Sequence, residues 1–144
     1  MGIDHKDFMH GAALVAIADS ADFTALNKAS VKYGHYVVNH DRNLFVKYND
    51  GSGAGDYWFT FQPTDKKLIR ETAQGGRVYV VLVCGTEVIT GLSRDELTQL
   101  INLRTSEVES VKVSAAAGKQ LRIKGPEGSL PLIPRNSFPK RILK

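Results

Sequence analysis

The sequence predicts an α+β fold: an N-terminal helix, a central mixed β-sheet with two further helices, and a β-rich basic C-terminal segment. Three observations predict it. Apolar residues recur at helical spacing near the N-terminus, short runs of β-branched and aromatic residues follow, and the last quarter alternates apolar with basic residues. The elements follow the order αβββαββα. The length of 144 residues suits a single domain, with a core over residues 1–109 and an extension over residues 110–144.

The first part of the chain is predicted to supply helical structure and then three strands. Residues 4–29 show helical spacing, with a break near Ser20 and a second short helix beginning over residues 22–26. The strands that follow are expected over residues 35–39, 43–48 and 57–61. A glycine-rich loop separates the second of these strands from the third, and we expect it to be a hairpin connection.

The middle of the chain predicts a helix followed by a buried strand. Pro63 suits the first turn of a helix, and the glycine pair at residues 75–76 closes it. Residues 78–84 form a continuous apolar run of strand length, which is typical of a strand buried on both faces. Residues 88–90 are its expected hairpin partner.

The last third of the chain predicts one more helix and a β-rich end. Ser93 and Glu96 have the spacing of a capping box, in which each side chain satisfies the other residue's backbone N–H. Strand-like alternation returns over residues 111–113 and 119–124. We expect three apolar side chains to anchor the end of the chain to the core: Phe138, Ile142 and Leu143.

Cysteine content and hydropathy limit the class of protein. Cys84 is the only cysteine, so an intramolecular disulfide is excluded, and we expect a reduced thiol buried in a strand. No apolar run approaches the roughly 18 residues of a membrane span. The N-terminal residues are polar and acidic, unlike a signal peptide. We therefore expect a cytoplasmic protein that does not associate with membranes.

Charge is divided unevenly along the chain. Residues 1–111 hold 11 Lys and Arg against 14 Asp and Glu, whereas residues 112–144 hold 8 against Glu127 alone. Such asymmetry favours a polyanionic partner, either nucleic acid or a larger acidic protein. Apart from Lys144, these eight basic side chains are the ones that we expect to contact phosphates: Lys112, Lys119, Arg122, Lys124, Arg135, Lys140 and Arg141.

Aromatic residues and histidines give two weaker signals. Tyr57 and Trp58 lie in an aromatic strand and could stack on nucleic-acid bases, although an aromatic cluster at a spacing of two also suits a half-buried strand. The four histidines include no pair at the i, i+4 spacing of a metal site, so the sequence predicts no metal centre from them.

The order αβββαβ of the first six elements, together with Lys47 near the end of an apolar strand, resembles the restriction-endonuclease-like PD-(D/E)XK superfamily. The resemblance implies a nuclease core in which carboxylates hold Mg²⁺ and a lysine orients the attacking water. Lys47 matches the motif lysine, but Phe45 occupies the position of the motif acid. Asp41 matches the upstream acid, and Asp50 or Asp56 could supply a displaced carboxylate.

Three functions are consistent with these patterns. The first is a bacterial or phage accessory protein that binds nucleic acid through phosphate contacts, with a degenerate nuclease-like core and no cofactor. The second is a metal-dependent nuclease that uses a rearranged site and Mg²⁺. The third is a protein–protein adaptor or inhibitor in a defence or counter-defence system. The sequence leaves open a homodimer and the choice between DNA and RNA.

Overall fold

The computed structural model describes residues 4–20, 22, 25–28, 34–116 and 118–143. Within them the helices are α1 (His5–Ala18), α2 (Pro63–Gly75), α3 (Arg94–Thr98) and α4 (Lys140–Leu143). The strands are β1 (Leu26–Lys28), β2 (His35–Val38), β3 (Arg42–Asn49), β4 (Asp56–Phe61), β5 (Arg77–Cys84), β6 (Val88–Ser93), β7 (Glu109–Ser114), β8 (Arg122–Gly125) and β9 (Gly128–Ser129). The predicted α+β class, its N-terminal helix and its C-terminal strands are confirmed.

The strands form two sheets. A mixed sheet has the order β1-β2-β3-β5-β6, in which β3 and β5 run parallel and every other pair is antiparallel. An antiparallel sheet has the order β4-β7-β8-β9. The structure therefore differs from the predicted single central sheet, because β4 pairs with the C-terminal strand β7.

The alternation along β4 accounts for this difference. Tyr57, Phe59 and Phe61 are buried, whereas Trp58 and Thr60 between them are exposed. A strand that is apolar on one face suits an antiparallel sheet with one face in water. By contrast β5 is buried on both faces, as predicted, and lies inside the mixed sheet between β3 and β6.

The mixed sheet separates two apolar clusters. Side chains of β5 alternate between them: Val80 and Leu82 pack with the antiparallel sheet, α2 and α3, whereas Val81 and Val83 pack with α1 and α4. The C-terminal strands share the first cluster with β4 and β5, so they complete the core instead of lying outside it.

Local capping fixes where the helices begin. The Asp4 side chain accepts a hydrogen bond from the N–H of Lys6 at the start of α1. Ser93 and Glu96 form the predicted capping box of α3.

The prediction of helix through residue 29 is wrong beyond α1, since Leu26 begins β1; residues 21, 23, 24 and 29 lie outside the described residues. No helix in the described part of the chain is long and apolar enough to cross a membrane.

The C-terminal anchor is confirmed. Ile142 and Leu143 are buried against the α1 side of the mixed sheet, and Phe138 packs beside them. Gly91 in β6 makes room for this contact, because a Cβ atom there would lie 2.6 Å from the Ile142 Cγ2 atom. The absence of a side chain at Gly91 thus allows α4 to pack closely on β6.

A buried ion pair links α2 to the antiparallel sheet. The fully buried Nζ of Lys66 donates to Glu109 Oε1 at 2.5 Å and to Thr105 Oγ1 at 3.0 Å. The same carboxylate oxygen accepts from the N–H of Asn102 at 3.0 Å. These bonds compensate the large cost of removing a charged ammonium from water.

We predict that Lys66→Ala destabilises the fold by about 3–5 kcal/mol, because it leaves the Glu109 carboxylate buried without its counter-charge. Chemical denaturation followed by circular dichroism measures this change. The matched control is Lys67→Ala, which removes an exposed lysine from the next position of α2. It should change the free energy of unfolding by about 0.5 kcal/mol or less. Equal effects of the two variants would contradict the structural role of the pair.

We also predict that the Cys84 thiol is inert in the folded protein. The residue is fully buried in β5, and burial raises the pKa of the thiol to about 12. The reactive thiolate is therefore scarce at neutral pH. Ellman's reagent should modify Cys84 rapidly in denaturant and at least about a hundredfold more slowly in native buffer. Rapid modification of the native protein would contradict this assignment.

Candidate functional site

One face of the antiparallel sheet packs into the core, and the other is turned to solvent. We call the second the outer face; its residues alternate with the buried Phe59, Val111 and Ile123. The strand register places its side chains in three rows. The rows are Thr60–Ser110, Trp58–Lys112–Lys124–Ser129 and Asp56–Ser114–Arg122.

Trp58 is the main apolar group of the outer face. It is 54% exposed, which is unusual for the largest side chain, and the Nζ of Lys112 lies 5.6 Å from its ring centroid. This cation–π contact holds the lysine beside the indole. The ring therefore offers an aromatic surface with a positive charge beside it.

Two lysines stand directly opposite each other on the outer face. Lys112 of β7 and Lys124 of β8 are register partners, and such like-charge pairs destabilise a sheet. The Asp56 carboxylate, which accepts from Ser114 Oγ, lies 3.7 Å from the Lys112 Nζ. Arg122 adds another exposed cation to the neighbouring row. The face therefore carries Lys112, Arg122 and Lys124 against Asp56.

A shallow groove of about 480 Å³ runs along this face beside Trp58. Lys112 and Lys124 line it, and Val108, which is 55% exposed, and Pro126 add apolar surface. Two acids also border the groove, Glu107 and Glu109, and the carboxylate of Glu109 pairs with Lys66. Exposed aromatic, apolar and basic groups are thus brought together in one recess.

The predicted phosphate-contacting residues divide into three groups. Lys112, Arg122 and Lys124 lie on the outer face, and Lys119 is exposed in the segment before β8. Arg135 and Arg141 are engaged within the fold. Lys140 is exposed on α4, which packs on the opposite side of the mixed sheet, and Lys144 lies outside the described residues.

Two arginines of the basic segment have structural partners. Arg135 donates to the Glu87 carboxylate at 3.2 Å and to the Ala116 carbonyl at 3.1 Å. Arg141 pairs with Glu96 and donates to the Gly91 carbonyl at 2.8 Å. Because acids from earlier in the chain neutralise them, neither arginine is available to a ligand in this structure. The structure therefore does not bring the seven predicted phosphate-contacting residues together on one surface.

The two predicted stacking residues point in opposite directions. Trp58 is exposed on the outer face, whereas Tyr57 is 6% exposed and lies in the core between the sheets. The period-two alternation of β4 forces this difference, since neighbouring side chains face opposite sides of a strand. The Tyr57 ring is therefore not available to stack on a base.

Lys47 has an acidic partner that the sequence pattern did not indicate. Its Nζ lies 3.1 Å from Asp65 Oδ2 and 4.9 Å from the Phe61 ring centroid. Asp65 comes from the first turn of α2, where the same oxygen accepts from the Gln62 N–H. A helix-start signal predicts the capping role of such an acid, but not its contact with a strand 18 residues earlier.

The acids proposed to accompany Lys47 are separated in the structure. Asp41 lies in the turn before β3 and pairs with Arg42 at 2.8 Å. Asp50 follows the far end of β3, 2.8 Å from His5 Nε2, and Asp56 lies on the outer face. Phe45 is buried and stacks on His35 with centroids 4.2 Å apart. Among the described residues, no group of three or more His, Cys, Asp or Glu side chains could hold a metal ion.

A second recess of about 450 Å³ surrounds Lys47 between α1, β3, β4 and α2. Asp65, His10 and Asn49 line it, and Trp58 forms a wall shared with the outer groove. Burial lowers the pKa of His10, opposed by the nearby Asp7 carboxylate and reinforced by Lys6 and Lys47. The recess therefore combines the Lys47–Asp65 pair with a histidine that stays neutral at physiological pH.

Comparison with known proteins assigns this chain to no family. A scan against protein-family models, a search of curated proteins and a search of solved structures each give no match for this chain. The resemblance to the PD-(D/E)XK superfamily stays a prediction.

We predict that acidification below about pH 6.5 destabilises the fold through two histidines. Burial lowers the pKa of His10 and of His35, so the unfolded chain takes up protons before the folded protein does. Stability should therefore fall as the pH drops from 7.5 towards 5.5, a window that lies above ordinary carboxylate titration. Thermal unfolding midpoints across this range measure the effect.

His35→Phe tests the contribution of one of these groups. The substitution keeps an aromatic ring against Phe45 and removes the titrating imidazole. It should reduce the dependence of the unfolding midpoint on pH, whatever its effect on the midpoint at pH 7.5. A pH dependence identical to that of the unsubstituted protein would contradict the role of His35.

Proposed function

We propose that this protein binds single-stranded nucleic acid across the outer face of the antiparallel sheet. The observation that carries the proposal is the row Trp58–Lys112–Lys124, in which an exposed indole lies beside two lysines on neighbouring strands. Single-strand binding surfaces combine these elements, because bases stack on aromatic rings while cations follow the phosphates. An exposed sheet face presents both to an extended strand.

Electrostatics supports a polyanion as the ligand. The opposed lysines 112 and 124 repel each other in the free protein, and a phosphate between them would remove that repulsion. With Arg122, three cations lie on the face, so about three phosphates would be contacted. Binding should then weaken with salt with a logarithmic slope of about −2 for a single strand.

Stacking supports a single strand over a duplex. Bases in a duplex are already stacked, whereas an unpaired base can lie on an exposed indole and gain roughly 1–3 kcal/mol. The groove beside Trp58 adds Val108 and Pro126 as apolar surface for a sugar or a second base. Phosphate contacts carry no sequence information, so we expect little sequence preference.

The alternatives have less support. A nuclease needs carboxylates gathered around a metal, whereas Lys47 pairs with Asp65 and the other proposed acids lie apart. An acidic protein could use the same outer face, and the binding assays below distinguish it from nucleic acid. We do not assign a nuclease activity to the core.

The proposal predicts that fluorescence anisotropy detects binding of labelled single-stranded DNA or RNA at about 50 mM salt, and weaker binding of duplex. Trp58→Ala should weaken binding by about tenfold or more, since it removes the stacking surface. Trp58 is the only tryptophan of the chain, so quenching of intrinsic fluorescence gives an independent readout at the site itself.

Lys124→Ala has a matched control in Lys140→Ala. Each removes one exposed lysine of the basic segment, but only Lys124 lies on the outer face. Lys124→Ala should weaken binding and reduce the magnitude of the salt slope by about 0.7, whereas Lys140→Ala should leave both unchanged. Absence of binding at low salt, or equal effects of the two variants, would refute the proposal. Capture of an acidic protein without nucleic acid would favour the adaptor alternative.

A further inference from the structure

A third recess lies between α2, α3, the segment that follows α3 and the β8–β9 turn. Its volume is about 580 Å³, within the usual range of small-molecule sites. Three arginines line it: Arg70 from α2, Arg94 from the start of α3 and Arg104 from the following segment. We call it the arginine cleft.

The arginine cleft is positively charged within a part of the chain that is acidic on average. Glu127 is the one acid among its lining residues, so three arginines against one glutamate give a net charge of +2. Arg94 pairs with Asp95 at 3.3 Å, but both side chains are more than half exposed and the pair is weak. Among the described residues, Arg70 and Arg104 have no carboxylate within ion-pair distance.

One arginine also fixes the shape of the cleft. Arg70 Nη1 donates to the Leu103 carbonyl at 2.6 Å, which ties the segment after α3 to α2. The Arg104 N–H donates to the Asn102 side chain at 2.9 Å and so holds the backbone beneath its guanidinium. The cleft is therefore built on fixed backbone, while the Arg94 and Arg104 side chains are exposed at its rim.

The floor of the cleft differs in chemistry from its rim. Ile101 and Leu103 are buried there, and Ala73 adds a small apolar surface. The amides of Gln74 and Asn102 line the same space. The Gln74 amide can donate and accept hydrogen bonds, and the Asn102 side chain, whose oxygen accepts from the Arg104 N–H, can donate from its amino group. A ligand that fits would combine a multiply charged anion with a flat or apolar part that carries hydrogen-bonding groups.

We propose that the arginine cleft binds a phosphate-bearing ligand of nucleotide size. Guanidinium groups match phosphate oxygens with paired hydrogen bonds, and a di- or polyphosphate neutralises a net charge of +2 more completely than a single carboxylate does. The apolar floor and the two amides suit the sugar and base. This proposal is independent of the outer face, because none of the cleft residues belongs to it.

The test is isothermal titration calorimetry with ADP, pyrophosphate and adenosine. ADP and pyrophosphate should bind and adenosine should bind at least tenfold more weakly, since the guanidinium groups are the main source of affinity. Titrations in the Lys124→Ala variant, which lacks one of the two opposed lysines of the outer face, show whether these ligands bind there instead: binding in the arginine cleft should be unchanged, so failure of one proposal is distinguishable from failure of the other. An oligonucleotide with and without a 5′-phosphate shows whether the phosphate can come from a nucleic-acid end.

Arg104→Ala and Arg94→Ala should each weaken ADP binding roughly ten- to a hundredfold, because each removes a charge-assisted contact. Arg104→Lys should recover only part of the loss, since lysine lacks the planar fork. Both positions are exposed, so unfolding midpoints should be unchanged. The control Arg122→Ala removes an exposed arginine of the outer face and should leave ADP binding intact. No phosphate binding at millimolar concentration, or binding unaffected by both arginine substitutions, would overturn the proposal.

Discussion

The architecture depends on the burial of β5 on both faces. No residue from Val78 to Cys84 is exposed by more than 7%, so neither face of the strand can be left to water. Two layers are therefore required, and the chain supplies α1 and α4 on one side and the antiparallel sheet with α2 and α3 on the other. Because the antiparallel sheet must turn one face inwards for this purpose, its other face stays free to present side chains to solvent.

Sequence patterns predicted what local chemistry determines and missed what depends on distant pairing. The apolar run of β5, the Ser93 capping box and the anchoring of Ile142 and Leu143 follow from neighbouring residues, and all are present. The pairing of β4 with β7 could not be predicted, because hydrophobic periodicity shows that a segment forms a strand but not which other strand it pairs with. The same reason explains the candidate sites. The sequence named Tyr57 and Trp58 as stacking candidates without deciding which of them is exposed, and it gave no sign of Asp65 beside Lys47. The arginine cleft was not predicted, because its three arginines are far apart in the sequence and lie in a part of the chain whose net charge is negative.

The basic residues of this protein serve different physical purposes. Lys66 is fully buried and compensated by a carboxylate and a hydroxyl, so its charge is committed to joining α2 to the sheet. Arg135 and Arg141 are likewise compensated within the fold. Lys112 and Lys124 instead face a like charge, an arrangement that costs stability in the free protein. Lys112 has one partly exposed carboxylate, Asp56, at 3.7 Å, and Lys124 has no acidic partner among the described residues. Such weakly compensated cations mark the surfaces where an anionic ligand would gain most, and a count of basic residues does not distinguish them from the compensated ones.

The pairing of β4 with β7 has a consequence for any attempt to divide the chain. The two strands are separated by more than forty residues, yet Phe59 and Phe61 share their packing with Val111 and Val113. Cutting the chain before residue 109 would strip the cover from this aromatic surface and leave β4 with two unpaired edges, which invites association between molecules. Conversely, a peptide of the basic segment alone would lack Trp58 and the rest of β4, the strand that pairs with β7 beside Lys112. The basic C-terminal strands and the earlier, acidic part of the chain therefore share one apolar cluster, and neither part can bury its side of that cluster alone.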